Sequence, residues 1–378
     1  MLLPPGMEII QQNDFKRQWQ AVGPAVLGAV ERVGASGRYI LGSEIERFEK
    51  VLARKWNAQY AVGVGNGMDA LEIGLRCLHL QPGEKVLTTT LSAFATTLAI
   101  IRAGGIPVFA DVDALGQINL QQCRDLLQKD RSIRYFVPVH LYGFALDMHE
   151  LGSLKEEFDL RVVEDCAQAM GACDRGLPVG TAGEIAATSF YPTKNLGAMG
   201  DGGALLTDDP EIAGQARRLR NYGQSAHYVH SEVGLNSRLD EVHAAILCDA
   251  FLPSVEGWTA TRSRTAQRYT QEIHHPFIDL PKPSPEMNPV WHLFPVRISA
   301  GRRDRFLEHL RVRGILGGVH YPRIIPDQAA LRTSSHHIAF DPVNARRWAE
   351  CEISLPIHPF LAEDEISAVI EACNGWEA

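Results

Sequence analysis

Lys194 is the residue in this chain with the most chemistry to offer. It lies in SFYPTKNLGAMGDGGALLT (189–207), a glycine-rich loop between two apolar runs, flanked by small and hydroxyl residues rather than the acidic neighbours a surface lysine usually keeps. Partial desolvation lowers the pKa of a lysine held in this way and makes its amine a competent nucleophile for Schiff-base chemistry. A lone buried lysine more commonly contacts a phosphate, so its company decides the reading.

Two other segments supply that company. LRVVEDCAQA (160–169) places Glu164 and Asp165 at the end of a strongly apolar run, where an unpaired charge is costly, so at least one needs a partner. Strand alternation sends the two carboxylates to opposite faces, which argues against a shared acid/base pair. In VGVGNGMDALEIGLRCL (62–78) a strand, a tight turn and a helix follow one another, with Ala70, Leu71, Leu75 and Leu78 facing inward. Backbone amides at such a helix start, approached closely because Gly67 has no side chain, can cradle a phosphate. Pyridoxal phosphate needs these three things together: a lysine for its aldehyde, an acid for its pyridine nitrogen and a cradle for its phosphate.

The elements that must position these groups follow from periodicity. SEIERFEKVLARKW (43–56) predicts a helix, with Ser43 and Glu46 at capping-box spacing and Ile45, Phe48, Leu52 and Trp56 on one face. Short apolar runs then recur at 61–65, 85–90, 106–112, 133–140, 160–167, 186–192 and 203–208, most of them separated by helical or Gly-rich segments. That alternation predicts an α/β domain with a mostly parallel sheet flanked by helices. In such sheets ligands collect beyond the carboxyl ends of the strands, where Gly67, Asp165 and Lys194 fall. RLDEVHAAILCDAFL opens a long helical stretch running past Pro253 to about Ile273, and PFIDLPKPSPEMNP leads to a smaller α+β region with strands at HLFPVRI and GGVHYP. The chain therefore divides into a large domain over 1–250 and a small C-terminal domain over 251–378.

Composition narrows the function classes. The 378 residues allow two or three domains at ~150 residues each. With 37 Lys+Arg against 45 Asp+Glu the net charge is −8 and no long run has one sign, so a nucleic-acid polymer is not an expected partner. The seven cysteines are odd in number, scattered and without a C-x-x-C pair, which suits reduced thiols in a cytoplasm. The N-terminal stretch has Pro4 and Pro5 in its only apolar segment and no basic leader, and the most apolar window, 91–110, contains Arg102, Gly104, Gly105 and Pro107. Neither a secretory signal nor a membrane span is expected. The 14 histidines, including His274-His275 and His336-His337, show no ligand spacing, so no metal is expected. His140 in PVHLYG and His320 in GVHYP lie at strand ends, and each fits either a substrate contact or a core histidine.

The quoted segments resemble the DegT/DnrJ/StrS-type nucleotide-sugar aminotransferases, which are fold type I pyridoxal-phosphate enzymes. The resemblance runs in order from GRYILGSEIERFE (37–49) through NGMDALEIGLR, PVHLYG, VVEDCAQAMGA and TSFYPTKNLGAMGDGGAL to LRNYGQ and GLNSRLDEVHAAIL, and weakens after about residue 275. It implies that Lys194 carries the cofactor as a Schiff base, Asp165 pairs with the pyridine nitrogen, Gln168 approaches the 3-hydroxyl and Phe94 stacks on the ring. The backbone at Gly67 and Met68 and the Ser189 hydroxyl would hold the phosphate. Asn236 would reach the phosphate of a neighbouring subunit, making the active unit a homodimer with shared sites. Tyr191, His320 and Tyr321 are the candidate substrate contacts.

Met68 stands where many relatives have a small hydroxyl residue, which leaves more of the phosphate to backbone amides. Asn-Gly followed by a large apolar residue and Asp-Ala-Leu is similar to the subgroup that aminates C3 of dTDP-linked 3-keto-6-deoxyhexoses. After HYP the run is RIIPDQ, without the proline and histidine common in relatives. The implied reaction moves the amino group of L-glutamate through a pyridoxamine phosphate intermediate to a nucleotide-linked keto sugar, in the biosynthesis of an amino sugar for O-antigen or another glycan. Amination at C4 of a UDP-, GDP- or dTDP-linked 4-keto sugar is the alternative, and a non-catalytic regulatory relative that still binds the cofactor is a further one. A dehydratase of the same fold would carry histidine in place of Lys194.

Overall fold

The structure is a computed structural model that describes residues 9–299 and 301–377. Pro4 and Pro5, which bear on the signal-peptide expectation, lie outside the described residues.

The first helix, α1 (Phe15–Ser36), has no counterpart in the sequence expectations. Its N-cap Asp14 accepts hydrogen bonds from the amides of Lys16 and Arg17, and Val22, Val26, Ala29 and Val33 form its buried face. Gly23 on that face and Pro24 beside it weaken the helical signal, because both residue types are poor in helix interiors. The helix α2 (Ser43–Lys55) occurs where expected, with Ile45, Phe48 and Leu52 buried. Its capping box does not form. The N-cap is Gly42, and the carboxylate of the distant Glu241 accepts instead from the amides of Gly42 (2.7 Å), Glu44 (2.9 Å) and Ile45 (3.1 Å).

Seven runs of apolar residues become the strands β1 (Tyr60–Val64), β2 (Lys85–Thr89), β3 (Ile106–Ala110), β4 (Tyr135–Val137), β5 (Arg161–Asp165), β6 (Ile185–Ser189) and β7 (Gly203–Thr207). They lie in the order β1-β7-β6-β5-β4-β2-β3, with the two-residue strand His337–Ile338 added at the β3 edge. All neighbours are parallel except β7, which runs antiparallel to both β1 and β6. The sheet is thus largely parallel, and the turns after β1, β2, β4, β5 and β6 share one edge with the start of β7. Helices α3 (Gly67–Cys77) and α4 (Phe94–Arg102) begin at that edge.

Beyond Asp240 the long helical stretch is built in pieces. Glu241–Ile246 is α-helical, Leu247–Phe251 widens to a π turn, and Val255–Glu272 resumes as helix past Pro253. A second, antiparallel sheet then pairs Ile278–Asp279 with β8 (Phe294–Ile298) and β8 with β9 (Glu352–Leu355). The expected strand at GGVHYP reduces to one antiparallel bridge between Gly318 and Ser354, after which the chain turns away and carries His320 and Tyr321 with it.

One apolar core lies under α1, α2 and one face of the large sheet, and a second fills the C-terminal region around Phe294, Phe306 and Ile353. The second core also takes in Ile10, Leu91, Val112, Tyr142 and Phe144, and Ile10 bridges Ile315. These residues tie the C-terminal region to the strand ends where the site forms. All seven cysteines are free thiols.

Candidate active site

The site forms at the carboxyl edge of the large sheet. At the end of β5 the two carboxylates part as strand alternation requires. Glu164, fully buried, hydrogen-bonds Nε2 of His140 at 2.9 Å and accepts from the amides of Gly180 (2.8 Å), Ala182 (2.8 Å) and Gly183 (2.6 Å). Those donors hold its carboxyl below the usual range against the desolvation that would raise it. Nδ1 of His140 accepts from the Leu146 amide at 3.1 Å, so both ring nitrogens are used and His140 is a satisfied core residue. The donor atoms of His140, Glu164 and Cys166 lie within 4.8 Å of one another, those of His140 and Glu164 being engaged in these hydrogen bonds.

Asp165 faces the other way. Its Oδ2 accepts from the Thr96 hydroxyl at 2.8 Å and its Oδ1 from the Ala167 amide at 3.1 Å. It makes no ion pair among the described residues, although it is buried. A buried carboxylate with two neutral donors and no cation is suited to a cationic N–H brought by a ligand. Thr96 carries no motif signal, and only its place in the first turn of α4 brings it here.

Lys194 follows β6 in a turn closed by its own amide donating to the Tyr191 carbonyl (2.8 Å). Burial lowers its ammonium from 10.5 to about 8, the negative charge of Asp165 opposing part of that fall. The next residue, Asn195, is clamped: its Nδ2 donates to the Val290 carbonyl at 2.7 Å and its Oδ1 lies 3.2 Å from Nδ1 of His292. Burial and the nearby charge of Lys194 hold His292 neutral, well below the ordinary histidine range.

The turn after β1 makes the cradle. Asn66 caps α3 by accepting from the Asp69 amide at 2.8 Å, and among the described residues the amides of Gly67 and Met68 have no hydrogen-bond partner. A Cβ at Gly67 would stand 2.7 Å from Cβ of Ser189, so only glycine lets this helix start approach the end of β6. The Ser189 hydroxyl oxygen accepts from the Tyr191 amide at 3.2 Å and keeps its proton to donate. Met68 itself is half-buried against the core around Leu71.

Gln168 is oriented from both ends. Its Oε1 accepts from the Tyr142 amide at 2.7 Å, and its Nε2 donates to the Tyr321 hydroxyl at 3.2 Å. Tyr321 is half-buried with its phenol pushed up by burial, and the Tyr142 hydroxyl donates to the His320 carbonyl. Phe94 opens α4, half-buried against Phe109, Ile325 and Leu331, so a packing role is present whatever else the ring does. Two candidates stand apart. Tyr191 is 52% exposed, and Asn236 is exposed, bridging Asn221 through its backbone without a side-chain hydrogen bond among the described residues.

Besides Thr96, the site residues missed by motif reading are Asn195, His292, Glu352 and Ser354. The last two meet His320 from β9, in a sequence region where the resemblance has faded.

A nucleophilic lysine, a buried carboxylate awaiting a cation and a pair of open helix-start amides, on a sheet of this topology, define a fold type I pyridoxal-phosphate enzyme. The chain belongs to the DegT/DnrJ/EryC1/StrS aminotransferase family, which matches residues 21–374. A dTDP-3-amino-3,4,6-trideoxy-alpha-D-glucose transaminase from Streptomyces venezuelae is 39% identical over 368 residues, which cover 96% of this chain and 95% of that protein. The crystal structure of S. venezuelae DesV in complex with a ketimine intermediate superposes with a TM-score of 0.92 at 39% identity, over 98% of this chain and 99% of that one. NtdA from Bacillus subtilis, solved with bound cofactor PMP, superposes with a TM-score of 0.86 at 25% identity, over 98% of this chain and 86% of that one. The protein is therefore an aminotransferase that works with pyridoxal phosphate. No described helix is long and apolar enough to cross a membrane.

Proposed function

We propose that the protein transfers the amino group of L-glutamate to C3 of a dTDP-linked 3-keto-6-deoxyhexose. The observation that carries this reading is the end-to-end match, at 39% identity, to a transaminase whose product bears its amino group at C3 of a dTDP-sugar. The local geometry supports the general chemistry, since burial pulls Lys194 down to about 8 and Asp165 makes no ion pair among the described residues.

Each residue has a defined task. The amides of Gly67 and Met68 and the Ser189 hydroxyl hold the cofactor phosphate. Asp165 would keep a proton on the pyridine nitrogen, Gln168 would meet the 3-hydroxyl and Phe94 would stack on the ring. Pyridoxal phosphate supplies the electron sink that makes an amino acid's α-proton acidic. Lys194 would hold the cofactor through Nζ and, once free, would be the group that removes and returns that proton at Nζ. A lysine near 8 can serve as base and as acid close to neutral pH.

Tyr321 and His320 would contact the sugar, with the exposed Tyr191 a further candidate at the surface. Asn236, exposed and without a side-chain hydrogen bond among the described residues, would reach the phosphate of a second copy's cofactor, in a homodimer with shared sites. The large domain (1–250) carries the cofactor and the small domain (251–378) brings His320 and Tyr321.

The test is a panel of dTDP-, UDP- and GDP-linked 3-keto and 4-keto sugars with L-glutamate, the aminated carbon located by NMR. Amination at C3 of the dTDP-linked sugar, lost in Lys194→Ala, is the expected result. Amination at C4, or equal turnover of the variant, would refute it.

A further inference from the structure

Beside the substrate approach lies a buried carboxylate that the reaction as described does not use. Glu352, the first residue of β9, is fully buried, as is Ser354 two residues on, on the same face of the strand. Oε2 of Glu352 accepts from the His320 amide at 2.6 Å and Oε1 accepts from the Ser354 hydroxyl at 2.6 Å. Ser354 Oγ in turn lies 2.9 Å from Nδ1 of His320. The three side chains form one unbranched chain, carboxyl to hydroxyl to imidazole. It ends at a half-buried histidine next to Tyr321 and near enough to Lys194 to feel its charge.

The proton positions in this chain are not independent. Oε2 always faces an amide N–H, so any proton on Glu352 must sit on Oε1. With Glu352 ionised, the Ser354 proton points to Oε1, Oγ can only accept, and His320 carries its proton on Nδ1 with Nε2 a free acceptor. With Glu352 protonated, its O–H donates to Oγ, the Ser354 proton turns to Nδ1, and His320 carries its proton on Nε2 as a donor. We propose that Glu352 and Ser354 are positioning residues that set the tautomer of His320, and so act as a proton relay through which His320 takes up a proton at Nε2 that is stored on Glu352. In one passage the Nε2–H bond forms and Nδ1–H breaks to Ser354. The Ser354 O–H bond then breaks to Oε1, leaving the imidazole neutral throughout and the added charge neutralising the carboxylate.

The surroundings favour this division. Burial and the charge of Lys194 hold the His320 imidazole down to about 4, so it resists becoming an imidazolium. Burial raises the Glu352 carboxyl to about 8, against the opposing hydrogen bonds and the charge of Arg303. The other titratable groups facing the relay are His292, Tyr142 and Tyr321, together with Arg297, which pairs across the ladder with Glu352 and turns its own guanidinium to Asp279. The surroundings of His292 and His320 thereby gain a proton acceptor without gaining a cation beside Lys194.

This relay rests on the aminotransferase reading for its use but not for its detection. The experiment is ¹⁵N NMR of histidine-labelled holoenzyme, with His320 assigned by the resonance lost in His320→Gln. In the wild type the ring should change from the Nε2–H to the Nδ1–H tautomer as pH rises through about 8. In Glu352→Gln the carboxamide nitrogen takes the place of Oε1 and donates to Ser354, so His320 should stay Nε2–H at every pH. Ser354→Ala, a second variant in case the first does not fold, should lose the pH-linked change. A wild-type His320 that keeps one tautomer across the range, or a tautomer change that survives in either variant, overturns the relay. Formation of 2-oxoglutarate by the wild type, measured on the same sample, reports separately on the aminotransferase reading.

Discussion

The adjacent carboxylates Glu164 and Asp165 should fail in opposite ways when truncated. Glu164→Ala strips four donors of their acceptor: three part-buried amides within 2.8 Å and the buried His140 ring. At about 1–3 kcal/mol for a buried orphaned donor and less for the part-buried amides, the loss is roughly 3–6 kcal/mol. That is much of the about 5–15 kcal/mol that holds a typical domain together. Asp165→Ala orphans only the Ala167 amide and the Thr96 hydroxyl, and Thr96 already has Ser92 Oγ at 3.1 Å as a second partner. Its cost to the cofactor-free protein is about 1–2 kcal/mol. Urea unfolding of both variants, with and without pyridoxal phosphate, reads the difference. The first should unfold early in either state. The second should resemble the wild type without cofactor and lose most of the stabilisation the cofactor confers. Equal destabilisation of the two cofactor-free variants, or full cofactor stabilisation of Asp165→Ala, would show the assignment of roles to be wrong.

Two further outcomes follow from the same geometry. Glu352, ordinarily 4.5, is raised to about 8 in the fold, so its contribution is fully present below 4.5 and is lost as pH rises through about 8. The loss amounts to roughly 5 kcal/mol at about 1.4 kcal/mol per pH unit, and Glu352→Gln should abolish it. Urea midpoints of wild type and variant that run parallel across this range would contradict the burial argument. Capture of pyridoxal phosphate by the cofactor-free protein needs the neutral amine of Lys194, so its rate, followed by the visible absorbance band, should rise with pH and level off above about 8. A rate still climbing toward 10.5 would mean that Lys194 is solvated.

The parts of the site legible in the sequence are those whose elements are local. A strand, a turn and a helix start are contiguous in 62–78, and the lysine loop is bounded by its own two strands, so composition and period suffice to single out Gly67, the Glu164–Asp165 pair and Lys194, while Ser189 and the choice of Asp165 came from the family resemblance. The mostly parallel sheet follows from the same repetition. What escaped depends on partners far apart in the chain. The amides at the start of α2 are capped by Glu241, about two hundred residues beyond the Ser43 that the local pattern suggested. His140 resolves into a core residue only when Glu164 is seen beside it, and the Glu352 relay joins β9 to a turn that sequence alone reads as a strand. The helix α1 was hidden for a local reason, the helix-poor pair Gly23 and Pro24 lying within the span that buries Val22, Val26 and Ala29.

The central claim is that Lys194 carries an amino-group transfer onto C3 of a dTDP-linked keto sugar. The most direct measurement supplies purified holoenzyme with ¹⁵N-labelled L-glutamate and dTDP-linked 3-keto-6-deoxyhexose, and follows the label by NMR. The account predicts ¹⁵N on C3 of the product, one 2-oxoglutarate released for each amino sugar formed, and neither in Lys194→Ala. Label that stays on glutamate, or appears on another carbon, or appears with Lys194 removed, would contradict it.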